Sequence, residues 1–182
     1  METDKIFGFV KPLVDVHTMG LHTMANLVRE CGYQAIIASP EINSALEQIQ
    51  KINNYSLVKA WIINNHITHL CFSYRLDPMD ACNHFMQLYE RLLGDNMASA
   101  TGGIIQAFSF AGLPEACQLI AEKTKNQVIL FPGSETPIES LERYNIPPEK
   151  IQKGLQTDNE YDNLRIAFAK KIIESESYKN VI

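Results

Sequence analysis

Asp15 and His17 are the residues in this chain whose types and spacing most directly offer chemistry. They lie in Val14-Asp15-Val16-His17-Thr18-Met19-Gly20, at the end of the first strongly apolar run. A histidine projecting from a strand-to-helix turn can ligate a metal through one ring nitrogen. The other nitrogen then needs an acceptor to fix the tautomer, and a carboxylate in that role raises the ligand's basicity. Asp15 is in the right place to be that carboxylate. Gly20 has no Cβ, so something bulky can lie against the start of the helix. The plainer alternative is a hydrogen-bonded Asp–His pair that holds a loop and binds no metal. A second polar turn, Pro132-Gly133-Ser134-Glu135-Thr136-Pro137, supplies hydroxyls, backbone N–H groups and a helix start. A ribose, phosphate or base edge can be held at such a place.

These turns need elements to hold them, and the chain alternates strand and helix. Ile6 to Val14 is apolar and β-branched enough for a first, central strand. Leu21, Met24, Ala25 and Val28 recur at helical spacing, and Cys31-Gly32 closes that helix. Further strands are expected at Tyr33 to Ser39, His69 to Tyr74, Ile104 to Phe110 and Gln127 to Phe131. Ser44-x-x-Glu47 reads as a capping box opening a helix with a break at Asn53-Asn54. Asp77-Pro78 opens a helix running to Gly94, Pro114 opens one ending near Lys125, and Thr136-Pro137 caps a short one. A last amphipathic helix is expected over Asp158 to Glu174. Five strands separated by helices require parallel pairing and right-handed crossovers. The expectation is an α/β, flavodoxin-like (Rossmann-like) doubly wound five-stranded parallel sheet with extra C-terminal helices. Its domain spans 1–144, and 145–182 forms a helical extension.

Composition narrows the function classes. With 182 residues the chain has room for one well-buried domain plus an appendage. A net charge of −5 leaves no basic footprint for nucleic acid. No apolar run approaches membrane-spanning length and Met1 to Ile6 is no signal peptide, so a cytoplasmic protein is expected. Cys31, Cys71, Cys82 and Cys117 show no CxxC and read as core thiols. No Gly-x-Gly-x-x-Gly follows a strand, and no Walker loop or Gly-x-Ser-x-Gly elbow is present. His66, His69 and His84 show no ligand spacing, and His22 reads as a surface residue.

Asp-x-His-x-x-Gly at a strand-to-helix turn is the signature of cobalamin-binding modules, and the chain resembles that family. The resemblance covers roughly Ile6 to Tyr144 and implies the same flavodoxin-like fold. It implies that His17 replaces the cofactor's own benzimidazole as the lower ligand of cobalt, with Asp15 behind it. Family members carry Ser-x-Leu at the end of the third strand; here Ser73 is present and Arg75 stands where leucine is usual. They also carry Gly-Gly after the fourth strand. Gly102-Gly103 precedes that strand and reads as a loop, so Ala111-Gly112 takes the place, leaving room for the nucleotide tail. The implied cofactor set is therefore Asp15, His17, Thr18, Met19, Gly20, Ser73, Arg75, Ala111, Gly112, Gly133 and Ser134, with His17 on the metal. Two residues keep alternatives: Ser73 can cap the following helix, and Arg75 can pair with Asp77 or Asp80.

The expected function is a cobalamin-binding module that holds the corrinoid base-off, in its methyl or adenosyl form. Corrinoid chemistry belongs to the cofactor, so the protein supplies axial ligation, electrostatics and positioning. The upper face of the corrin must meet a substrate, and this chain has no room for a barrel carrying one. A catalytic partner subunit or domain of a mutase or methyltransferase is therefore expected, facing the corrin. Since the first strand starts at once, the chain resembles a free-standing small subunit or a domain of a larger corrinoid enzyme. A non-catalytic sensor or interaction module on the same fold is the alternative.

Overall fold

A computed structural model describes residues 5–151 and 158–174, with side chains in the last helix described from 165 onward. Five strands alternate with helices: β1 (Ile6–Val10), α1 (Met19–Glu30), β2 (Gln34–Ile37), α2 (Pro40–Glu47), α3 (Ile52–Asn64), β3 (His69–Tyr74) and α4 (Pro78–Gly94). Then follow β4 (Ala107–Gly112), α5 (Pro114–Thr124), β5 (Ile129–Phe131), α6 (Pro137–Arg143) and α7 (Asp158–Glu174). Every pairing is parallel and the strand order is β2-β1-β3-β4-β5. This is the flavodoxin-like doubly wound sheet. Among the described residues no helix is long and apolar enough to cross a membrane.

Both faces of the sheet are covered. The helix α1 buries Leu21, Ala25, Leu27 and Val28 and packs against β1 and β2. On the other face, side chains from α2 to α5 enclose Leu70, Phe72, Phe108 and Phe110 in one apolar cluster. Rings stack at its centre: Phe85 meets Phe72 and Phe110 edge-on with centroids 5.7 and 5.6 Å apart. Trp61 packs against this cluster, and all four cysteines are buried and free.

Strand and helix boundaries depart from the expectations in instructive places. The first strand stops at Val10, and residues 11–18 form a loop. Pro12 is the local reason: it has no N–H to give a ladder and is excluded from a central strand, whatever the apolar Leu13 and Val14 beyond it suggest. Ser44 lies inside α2, not at its start. The cap is Ser39, whose side chain accepts the Ile42 N–H with Pro40 at the first turn, and the break falls at residues 48–51. The fourth strand begins at Ala107 and extends through Ala111-Gly112. Gly102 ends a short 3-10 turn, and Gly103 is hemmed in by the Met97 backbone, as a loop glycine.

The chain divides into two compact units, Met1–Ser134 and Glu135–Ile182, so the division falls ten residues before Tyr144 and places α6 in the second. Within that unit, Thr136 and Glu139 form the capping box of α6, and Arg143 pairs with Glu135 at 2.9 Å. Of the apolar face expected on α7, Ile166 and Phe168 are exposed and Ile172 is half-buried. The side chains of Tyr161 and Leu164 lie outside the described residues.

Candidate functional site

The loop after β1 is pinned to α2 before it reaches the histidine. The Lys11 N–H donates to Asn43 Oδ1 at 3.3 Å, and the Val14 N–H donates to Glu47 Oε1 at 2.7 Å. The buried Lys11 ammonium donates to the Asp15 carbonyl. Held this way, Asp15 is completely buried, which is costly for a carboxylate unless its lone pairs are filled. They are filled. Oδ1 accepts the His17 N–H at 2.9 Å and stands 2.8 Å from His17 Nδ1, and Oδ2 accepts the Arg75 N–H at 2.9 Å.

One side chain therefore ties the turn after β1 to the end of β3, sixty residues away. It also fixes the imidazole. With Nδ1–H directed at the buried carboxylate, Nε2 carries the lone pair. The His17 side chain is 52% exposed, and its Nε2 has no hydrogen-bond partner among the described residues. Also among the described residues, no group of three or more His, Cys, Asp or Glu could hold a metal ion. His17 thus presents one nitrogen outward by itself, not as one member of a multidentate protein site, among the described residues.

Around this imidazole lies a feature the sequence reading missed. Leu13, Val14, Val16 and Met19 are 47%, 53%, 78% and 83% exposed. Leu76, next to the Arg75 N–H that binds Asp15, is exposed too, as is Met79 in the first turn of α4. Leu13, Val14, Val16 and Met19 stand within four positions of His17 along the chain, and exposed apolar side chains so close in sequence mark a contact surface. Assigning Leu13 and Val14 to a buried strand hid this apron. The start of α1 completes it: Thr18 gives no side-chain cap, and a Cβ on Gly20 would meet nothing within 4 Å.

The remaining expected residues gather along the carboxyl edge of β3, β4 and β5. Ser73 pairs with Ala111 and Cys71 with Ser109, so these four side chains share one face. They make a strip of small residues on the α1 side. The opposite face of the same strands carries Phe72, Tyr74 and Phe110. Ser73 is only 8% exposed, and its hydroxyl makes no hydrogen bond among the described residues. It does not cap α4. Asp77 does, accepting the N–H groups of Met79 at 2.8 Å and Asp80 at 3.0 Å.

Arg75 is paired with neither Asp77 nor Asp80; its guanidinium lies against Gly133 instead. Gly133 has a φ of +97°, and a Cβ there would stand 2.8 Å from Arg75 Nη2. The fold gives the smallness of Gly112 a cause of its own. A Cβ on it would lie 2.5 Å from the Phe110 ring and 2.7 Å from the Tyr74 carbonyl oxygen. Ala111 is half-buried and Ser134 exposed on the same rim. His22 is exposed, whereas His69 is buried, bonded to Thr68 Oγ1 at 2.9 Å, and pushed down to about 4 by burial and by Lys5. No protein-family model and no curated protein matches the chain, so the site stands on its own geometry.

Proposed function

We propose that this chain is a cobalamin-binding module in which His17 is the lower ligand of cobalt. The observation that carries the proposal is the Asp15–His17 pair: a buried carboxylate holds Nδ1 and leaves Nε2 exposed and unpaired. A lone imidazole suits a metal already equatorially ligated by a macrocycle, as a proximal histidine suits haem. The exposed apolar side chains around it suit the flat, largely apolar face of a corrin. At the rim, the half-buried Ala111 and the exposed Gly133 and Ser134 are small enough to border the displaced nucleotide tail. The donor set therefore fits the group.

When bound, the cofactor supplies methyl transfer or adenosyl radical chemistry. The chain's own residues do the rest. His17 presents its nitrogen, and Asp15 fixes the tautomer and raises the ligand's basicity. Lys11, Asn43 and Glu47 keep the loop from moving, so the imidazole is presented in one orientation. A partner carrying the substrate site completes the enzyme by covering the exposed face of the cofactor, in the cytoplasm. The test is a titration of the wild-type and His17→Ala proteins with hydroxocobalamin. The wild type should show the absorption shift of histidine ligation and the variant should not. Identical spectra for the two would remove His17 from the role.

A further inference from the structure

We propose that Arg75 is an anion anchor for the phosphodiester of the cofactor's nucleotide loop, an inference that rests on the cobalamin reading above. The backbone N–H of Arg75 is held by Asp15 Oδ2, so its side chain leaves the rim from a fixed point beside the histidine ligand. The guanidinium comes to rest against Gly133, past β5. The strands β3 and β5 are separated by β4, a span of roughly 10 Å at ordinary strand spacing. The side chain thus lies across the carboxyl end of β4, where Ala111, Gly112 and the first turn of α5 meet.

Among the described residues no carboxylate forms an ion pair with Arg75. Carboxylates close to it in the chain or beside Gly133 are engaged elsewhere: Asp15 with His17 and the Arg75 backbone, Asp77 with the cap of α4, and Glu135 with Arg143. Gly133 makes room for the guanidinium, since a Cβ at that position would collide with it. On the same rim Ser73, 8% exposed as a residue, has a hydroxyl that makes no hydrogen bond among the described residues. A forked cation and a spare hydroxyl form a phosphate-binding pair, because the planar guanidinium matches two phosphate oxygens at once. The peripheral amides of a corrinoid are neutral, and the phosphodiester is its fixed anion. A cation on the rim therefore selects the complete cofactor over a truncated one.

The test compares cobalamin with cobinamide, which lacks the phosphodiester and nucleotide, on the wild type and on Arg75→Met and Arg75→Lys. Methionine keeps the backbone N–H that Asp15 needs. Arg75→Met should weaken cobalamin about tenfold or more and leave cobinamide within about twofold, the size of a lost charged hydrogen bond. Arg75→Lys should recover part of the loss, and the salt dependence of cobalamin affinity should fade in the methionine variant. Equal losses for both ligands, or no loss for cobalamin, would overturn the assignment while leaving the cobalamin reading intact. If the wild type binds neither corrinoid, that reading fails and the assignment falls with it.

Discussion

Two acid-centred networks sit in the first unit, and they end differently. Asp95, at the end of α4, accepts the Tyr55 hydroxyl at 2.8 Å and the Lys59 ammonium at 2.7 Å. Arg91 lies over the Tyr55 ring at 4.1 Å and donates to the Ile49 carbonyl at 2.7 Å and the Gln50 carbonyl at 3.0 Å. Each group in it finds its partner in the same network, and the result joins α3 and the loop before it to α4. Asp15 is buried more deeply and its oxygens are as fully used, yet its network ends on an exposed nitrogen without a partner. One network closes on itself and stabilises. The other spends buried polar groups to present an atom outward, which is what a ligand site does.

That contrast can be broken most directly at Asp15. Asp15→Ala leaves three N–H donors unfilled, and should cost about 3 kcal/mol and abolish the histidine-ligation spectrum. Urea denaturation and a hydroxocobalamin titration read the two effects. A stable, ligating Asp15→Ala protein would contradict the account of the loop.

The next effect belongs to neither network. His69 titrates at about 4 when folded because burial and Lys5 disfavour its charged form. The unfolded chain takes up that proton near 6.5, so between those values it binds more protons than the folded one. Stability is therefore complete above pH 6.5 and falls toward pH 4 by up to about 3 kcal/mol. His69→Leu should flatten that limb of the stability curve; an unaltered limb would clear His69.

At Asp95 the outcome should be smaller and confined to the fold. Its carboxyl is held below the usual range by hydrogen bonds from Lys59 and Tyr55, but it is exposed. Tyr55→Phe should cost about 1 kcal/mol and leave corrinoid affinity unchanged. A change in affinity would mean that the two networks communicate.

Gly20→Ala should give the smallest stability effect, with the opposite sign. A Cβ there meets nothing, and alanine favours helix, so the fold gains up to about 1 kcal/mol. Corrinoid affinity should fall as the new methyl occupies the ligand's side of the helix. A variant that gains stability while keeping full affinity would place the cofactor elsewhere.

Much of the fold was legible because its signals are local. The range of β3 (His69–Tyr74), the Asp77 cap with Pro78, and the Thr136–Glu139 box are each specified within a few residues. The end of β1 was legible too, but the apolar Leu13-Val14 beyond it masked the signal: Pro12 has no N–H for a ladder and cannot sit in a central strand, so the strand stops at Val10. What the sequence did not show is where the loop goes, which the bonds to Asn43 and Glu47 decide. At the site, the Asp15–His17 bond was readable because the two residues are neighbours in the chain. The roles of Ser73 and Arg75 were not, since local sequence permits capping or ion pairing equally well.

By itself, then, the sequence determined the alternation that forces a parallel sheet and the pairing of a carboxylate with the imidazole two residues on. Both follow from periodicity and short-range geometry. Tertiary structure alone decided that Asp15 also binds the backbone of Arg75, that Gly112 is small for the sake of Phe110, and that Leu13, Val14, Val16 and Met19 face outward. Those outcomes depend on residues tens of positions apart arriving at one edge of the sheet, and no local pattern encodes which of them meet.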